Sequence, residues 1–240
     1  MSARRPRWIV NLATLIGLAI TITACYWQYQ KGHRKDMLAA ESEAALGMAP
    51  VQVGKDHSTA DALRWRRVFA EGRFLPHTVI LLDNQPHGAQ PGYVVFTALR
   101  LDSGRHALVK RGWIPGSLDR SQLPEVTTPA DRVKIEGISY PPSSRFVEYG
   151  DAGLNQRVWQ NVNVERYAAR FGLDFEPLIL QQEGDMGDGL LREWPKPATG
   201  SAKNFGYALQ WGAMALSIVI FYGLSVYRNR KQQDTQAGSP

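Results

Sequence analysis

Residues 205–227 read FGYALQWGAMALSIVIFYGLSVY, and the reading of this run decides the architecture of the chain. No charged side chain falls between Lys203 and Arg228, and the run stops at Arg228-Asn229-Arg230-Lys231. A bilayer core takes about 20 apolar residues in helical form, so the run has the length of a transmembrane span. Tyr and Trp near both ends match the aromatic belts of membrane interfaces. A buried core helix is the competing reading, and the length without a charge argues against it.

A second uncharged run, WIVNLATLIGLAITITACYWQYQ (8–30), lies between Arg7 and Lys31. It is more polar, with Asn11 and several threonines. Ile22-Thr23-Ala24-Cys25 resembles a lipoprotein cleavage site, which offers a cut, lipidated periplasmic protein as the alternative. The uncharged stretch continues past Cys25 through Tyr26, Trp27 and Tyr29, as an interfacial belt does, which favours an uncut anchor. Lys31, Arg34 and Lys35 balance Arg4, Arg5 and Arg7, so the first span alone leaves orientation open. Arg228, Arg230 and Lys231 settle the expectation: both termini inside, residues 31–203 outside. Small residues recur at four-residue spacing: Ala13, Gly17 and Thr21 in the first span, Ala208 with Gly212 and Ala213 with Ser217 in the second. Such faces suit close helix approach, either between the spans or against a partner.

The net charge of +6 would raise nucleic acid as a partner, but its distribution excludes that reading. Of 28 basic and 22 acidic residues, six bases and one acid lie in residues 1–30 and 204–240, leaving 22 and 21 between them. The single cysteine, Cys25, permits no intramolecular disulfide and no cysteine-based zinc site.

The segment between the spans reads as strands. RRVFAEGRF (66–74) and TVILLDNQ (78–85) are short and rich in β-formers. YVVFTALRL and HALVKRGWI flank Asp102-Ser103-Gly104-Arg105, a hairpin signature. RVKIEGISY (132–140) and PLILQQ (177–182) add two more. One helix is marked by Asn163 as cap, VERYAARF as body and Gly172 as stop. A further helical stretch falls within residues 36–62. EGDMGDGLLREWPKPATGSAK (183–203) reads as a loop leading into the membrane, with its acidic start, EGDMGDG, solvated. Its acids miss the calcium-loop spacing. The sheet is expected to be antiparallel, curled on itself or packed by one helix.

Candidates for catalysis are thin: no nucleophile elbow, P-loop or dinucleotide fingerprint occurs. His33, His57, His77, His87 and His106 show no zinc-helix spacing; His77 and His87 bracket a strand and are the one pair placed to converge. LVKRGWIP stands out, with Lys110, Arg111 and Trp113 ending an apolar strand before Gly112 and Pro115 interrupt it. It reads either as a strand end with a snorkelling cation or as a docking edge anchored by Trp113.

Taken in order, these pieces resemble the surfeit locus (Shy) family of cytochrome c oxidase assembly proteins. YWQYQKGHRKDML resembles the family's Trp-Gln and basic stretch after the first span. WRRVFAEGRF and ILLDNQPHGAQPGYVVFTALRL resemble its early strands. LVKRGWIP resembles its Arg-Gly-Trp signature, with Lys110 in place of Asn. GLLREWPKP and YALQW resemble its approach to the second span. The resemblance implies a non-enzymatic assembly factor for a haem-copper terminal oxidase, assisting haem installation or stabilisation in subunit I. It implies a multi-pass protein of the bacterial inner (plasma) membrane, in contact with subunit I, other assembly factors and membrane lipid. No targeting peptide is read before the first span, which suits a bacterial member.

Some members carry a histidine three residues before the tyrosine of YALQW that is assigned to haem a. Here that position is Asn204, a poor iron ligand beside His, Met, Cys or Tyr. Asn204, Tyr207 and Trp211 share a helical face, which leaves Tyr207 and Trp211 as haem contacts by stacking. A haem carrier using Tyr207 is the alternative function. Arg111, Gly112, Trp113 and Gln210 are the expected partner contacts.

The expected map is a cytoplasmic tail (1–7), a transmembrane helix (8–30), a mainly antiparallel β periplasmic domain with one or two helices (31–203), a second transmembrane helix (204–227) and a cytoplasmic tail (228–240). The class is an α+β membrane protein.

Overall fold

The computed structural model describes residues 7–55, 59–117, 119, 122–141, 157–194 and 200–237. It holds three α-helices: α1 (Arg7–Leu46), α2 (Val164–Phe171) and α3 (Ser201–Ala237). Eight strands accompany them: β1 (Val51–Gln52), β2 (Arg67–Phe74), β3 (Ile80–Leu82), β4 (Gly92–Leu101), β5 (His106–Pro115), β6 (Val133–Tyr140), β7 (Val158–Trp159) and β8 (Phe175–Gln182). The chain divides into two compact units, residues 1–40 with 197–240 and residues 41–196.

The first unit is an antiparallel helix pair. Both helices are long and apolar enough to cross a bilayer, and their apolar stretches are almost wholly exposed. Leu15, Ile20, Leu209, Leu216 and Phe221 all face outward. No apolar solvent but lipid makes such a surface favourable. The first helix does not end with the span, since α1 runs on to Leu46.

Shielded positions on α1 recur at Thr14, Leu18, Thr21, Cys25, Gln28, Gly32 and Lys35, alternating steps of four and three. That 3.5-residue period is the seam of a left-handed helix pair. A Cβ added at Gly17 would stand 3.4 Å from Ile218, and one at Gly212 would stand 3.7 Å from Cys25 Sγ. Gly17, Thr21, Ala208 and Gly212 thus pack the two helices together. Ala13, Ala213 and Ser217 face away from the seam.

The second unit is a barrel. The sheet order is β1-β2-β6-β8-β5-β4-β3-β7, and an added β2–β4 pairing closes β2, β6, β8, β5 and β4 into a ring of five. Closure removes the exposed edges that an open sheet would leave. The ring is mainly antiparallel, as expected, with one parallel pair, β5–β8; the flanking pairs β1–β2 and β3–β7 are parallel too. Parallel strands need a long crossover, and here β6 and α2 lie in the chain between β5 and β8.

Two glycines make the closure possible. Gly72 is where β2 adds β4 to its pairing with β6, and a Cβ there would lie 2.0 Å from the Arg100 carbonyl oxygen. Gly137 does the same where β6 meets β8, against the Gln181 carbonyl oxygen. Both sites need backbone to approach backbone more closely than any side chain allows.

Inside the ring, Val68, Ala70, Phe74, Leu99, Leu101, Val109, Ile135 and Leu180 form the core. Outside it, α2 packs over Trp159, Phe96 and Phe175. Asn163 Oδ1 accepts from Arg166 N at 2.7 Å, and Gly172 ends the helix at φ 64, as expected from sequence. Tyr167 is fully buried and its hydroxyl donates to the Thr78 carbonyl. The strand expected at 78–85 shrinks to β3, because a 3-10 turn at Pro76–Thr78 precedes it and Asn84 follows with φ 59.

Candidate functional site

Two polar clusters stand out, one in each unit. In the helix pair, Asn204 is only 7% exposed and lies in the seam. Its Nδ2 donates to Gln28 Oε1 at 2.8 Å, and its Oδ1 accepts from Lys35 Nζ at 2.9 Å. Gln28 is the glutamine of the Trp-Gln pair, so two segments singled out separately by sequence meet here. At the far end of the pair, Tyr222 Oη donates to Asn11 Oδ1 at 3.1 Å. From Asn11 to Gln28 the helix rises ~26 Å at about 1.5 Å per residue. The two polar rungs therefore bracket an apolar middle close to the thickness of a bilayer core.

The residues at this position do not fit a haem-iron ligand. Asn204 offers an amide, and both ends of that amide are already paired within the helix pair. The face shared by Asn204, Tyr207 and Trp211 is divided: Asn204 points into the seam, Trp211 is half-buried and Tyr207 is 52% exposed. Gln210 is exposed. Phe205 packs over Gly32 and meets Tyr29 edge-on at 5.9 Å, and Tyr29 stacks on His33.

In the barrel, Arg111 is fully buried. Its guanidinium donates to Asp188 Oδ2 at 2.7 Å, Thr127 O at 2.8 Å and Thr128 Oγ1 at 3.0 Å, and lies 4.7 Å over the Phe74 ring. Arg192 donates to both oxygens of the same carboxylate, at 2.8 and 2.7 Å. Burial pushes the Arg111 pKa down, against the pull of Asp188. Burial also works to raise the Asp188 carboxyl, but hydrogen bonds from Arg192 and Arg111 outweigh it and hold the group below its usual value. Two cations on one buried carboxylate make a tight clamp.

Gly112 and Trp113 continue the same design. A Cβ at Gly112 would lie 2.6 Å from Leu190 Cβ, so this glycine admits the 183–194 segment against β5. Trp113 and Leu191 exchange backbone hydrogen bonds at 2.7 and 2.9 Å, and Trp113 Nε1 donates to the Gln85 carbonyl at 2.6 Å. Trp113 is 6% exposed. Arg111, Gly112 and Trp113, expected as a docking edge or a strand end, are buried here, with the 183–194 segment lying over Gly112 and Trp113. The solvated reading of EGDMGDG is corrected at Asp188, whose side chain is 2% exposed. Sequence reasoning missed Asp188 and Arg192 as one unit with Arg111. The available signal was the four-residue spacing of Asp188 and Arg192 around Leu190-Leu191, together with the two adjacent cations, Lys110 and Arg111, that end an apolar strand.

Lys110 points outward on the same strand. Its Nζ donates to Gln181 Oε1 at 3.0 Å and sits 4.2 Å over the Trp194 ring. Burial without a carboxylate partner lowers its pKa to about 8. Trp194 Nε1 in turn donates to the Gln182 carbonyl at 2.7 Å.

The histidines do not converge. His77 packs on Phe171, while His87 packs on Trp113 with Nε2 at 3.5 Å from Glu193. His106 packs on Phe175, and His57 lies outside the described residues. Among the described residues no three His, Cys, Asp or Glu side chains form a metal-holding group.

A family model described as SURF1 family matches residues 15–216. A SURF1-like protein of Rickettsia conorii is 24% identical over 226 residues, covering 92% of this chain and 91% of its own length. An uncharacterized SURF1-like protein of Mycobacterium tuberculosis is 25% identical over 252 residues, covering 98% and 90%. The cytochrome oxidase assembly protein SHY1 of Saccharomyces cerevisiae is 26% identical over 170 residues, covering 68% of this chain and 43% of its own.

Proposed function

The chain belongs to the SURF1 family, and from that premise we propose that it is a non-enzymatic assembly factor for a haem-copper terminal oxidase, assisting haem installation or stabilisation in subunit I. The observation that carries the reading is the order along the chain, a bilayer-length helix, a closed barrel and a second bilayer-length helix, in a chain whose yeast relative is named for cytochrome oxidase assembly. We place the protein in the bacterial inner membrane, with both termini cytoplasmic and the barrel in the periplasm. The basic run after Tyr227 supports that orientation.

Contact with subunit I is assigned to the exposed side of α3, at Tyr207 and Gln210, with Trp211 at its margin. These side chains are free of the Asn204 clasp and lie at the depth of an interfacial belt. Other assembly factors are further partners. Haem a, where it is met on this helix, finds stacking surfaces in Tyr207 and Trp211 and no imidazole at residue 204. The protein therefore acts by holding subunit I receptive rather than by ligating iron through Asn204.

A deletion strain tests the reading. Reduced-minus-oxidised spectra of its membranes are recorded together with oxidase activity and subunit I content. Haem absorbance per subunit I and activity are expected to fall, and to return with the intact gene. Fully active, normally haemated oxidase across growth conditions, with no second copy of the gene, would overturn it.

A further inference from the structure

α1 and α3 face each other through Gln28 and Lys35 on one helix and Asn204 and Ala208 on the other. Tyr29 and Phe205 meet along one flank of this seam. At about 100° per residue, Trp27, Lys31 and Arg34 fall on the opposite flank of α1, and Lys203 falls on the matching flank of α3. All four are exposed, and Lys31 Nζ sits 4.8 Å over the Trp27 ring. Among the described residues no ion pair involves Lys31, Arg34 or Lys203. The nearest acid on α1, Asp36, lies toward the Tyr29 flank.

These cations sit just beyond the ends of the two spans on the side proposed above to be periplasmic. The usual bias puts Lys and Arg at the cytoplasmic ends of membrane helices, so a basic cluster here opposes it. Directly below them lies exposed aromatic and aliphatic surface, Trp27 and Ile20 on α1, with Tyr207 at the border. Positive charge above an apolar, lipid-facing wall is complementary to a molecule with an anionic head and apolar tails.

We infer that this flank binds the headgroup of an anionic phospholipid, with its phosphodiester among Lys31, Arg34 and Lys203 and its acyl chains along Trp27 and Ile20. The leaflet assigned to it rests on the orientation proposed above; the binding itself rests on the cluster alone. Lys35 is excluded from the site because its ammonium is held by Asn204.

The full-length protein is reconstituted in nanodiscs containing dioleoylphosphatidylglycerol and dioleoylphosphatidylcholine in equal amounts, and retained lipid is counted by native mass spectrometry on release. Phosphatidylglycerol is expected to be retained preferentially, and the preference is expected to fall about fivefold per cation removed in Lys31→Gln, Arg34→Gln and Lys203→Gln. Removing Lys55, Arg67 and Arg100 from the barrel surface serves as the charge-matched control and is expected to change nothing. Circular dichroism checks that each variant keeps its helices. Equal retention of the two lipids overturns the inference, as does a preference that survives the triple substitution. Retention of an acidic polypeptide in place of lipid also overturns it. Accessibility of an introduced surface cysteine on the barrel to a membrane-impermeant reagent is scored separately: a reversed orientation moves the site to the other leaflet without removing it.

Discussion

Asn204 Nδ2 donates to Gln28 Oε1 at 2.8 Å across the seam of the helix pair, and Lys35 closes the other end of the same amide. In lipid, no water competes for these groups, yet measured interhelical hydrogen bonds average only about 0.6 kcal/mol and reach about 2 kcal/mol. Asn204→Leu and Gln28→Leu are each expected to loosen the pair by an amount in that range. The double variant is expected to cost less than the sum, because each single change leaves one partner stranded. Thermal denaturation of the full chain in detergent, run as a double-mutant cycle, measures the coupling. Strict additivity would show that the two amides act separately.

The packing of the same seam is open to a covalent test. A Cβ at residue 212 would stand 3.7 Å from Cys25 Sγ. With one native cysteine in the chain, Gly212→Cys is expected to form a single intramolecular disulfide on mild oxidation. Intact mass, lower by about two hydrogens and restored by reductant, reports it. Ala213→Cys, on the exposed side of α3, is expected to give none.

In the barrel, Arg111 cannot be removed cheaply. Arg111→Ala leaves Asp188 with Arg192 alone and opens space over Phe74, and breaking such a buried pair costs about 3–5 kcal/mol. Arg111→Met, which keeps the volume and drops the charge, is expected to recover part of that loss, because Asp188 keeps both bonds from Arg192; adding Asp188→Leu strands Arg192 and is expected to cancel the gain. Unfolding midpoints of the full-length variants decide it.

The two perturbed groups of this region act in different pH windows, and in each of them stability rises with pH. Asp188 has a folded pKa below its usual 3.8, so its stabilisation is present above that value and is lost as pH falls through the folded one. Acid unfolding is expected to begin just below about pH 4 and to lose this component in Asp188→Asn. Lys110 has its pKa lowered from 10.5 to about 8, so the unfolded chain binds the extra proton between those values. Stability is expected to rise with pH across that window by no more than about 3 kcal/mol, and the rise is expected to vanish in Lys110→Met.

Closure of the ring depends on Gly72. Gly72→Ala would place a methyl 2.0 Å from a backbone oxygen, where no side chain can give way. It is expected to destabilise the barrel more than Gly112→Ala, whose nearest neighbour, Leu190 Cβ at 2.6 Å, belongs to the 183–194 segment outside the ring and not to a strand of it. A greater loss of midpoint in Gly112→Ala would contradict the role given to Gly72.

What sequence could reveal was what is encoded locally. Asp102-Ser103-Gly104-Arg105 announced the β4–β5 hairpin, and Asn163 with Gly172 bounded α2, because turns and caps are made by residues near in the chain. The β5–β8 pairing was invisible, since Leu108 and Ile179 meet with no shared local pattern. Asp188 was misread for a related reason: a carboxylate among glycines resembles solvent-facing loop until the buried Arg111 and Arg192 are found beside it. Gln28 and Asn204 were each noticed by resemblance, but nothing in either segment alone says that one amide holds the other.

The spacing of the two polar rungs limits how the helices can move. Sliding one past the other by a single turn, about 5.4 Å, would break Asn11–Tyr222 and Gln28–Asn204 together and leave the buried Asn204 amide without its partner. A piston stroke is therefore disfavoured in this pair. Any mechanical signal it carries must travel as tilt or rotation of both helices as one body, with the two rungs acting as a double latch on their register.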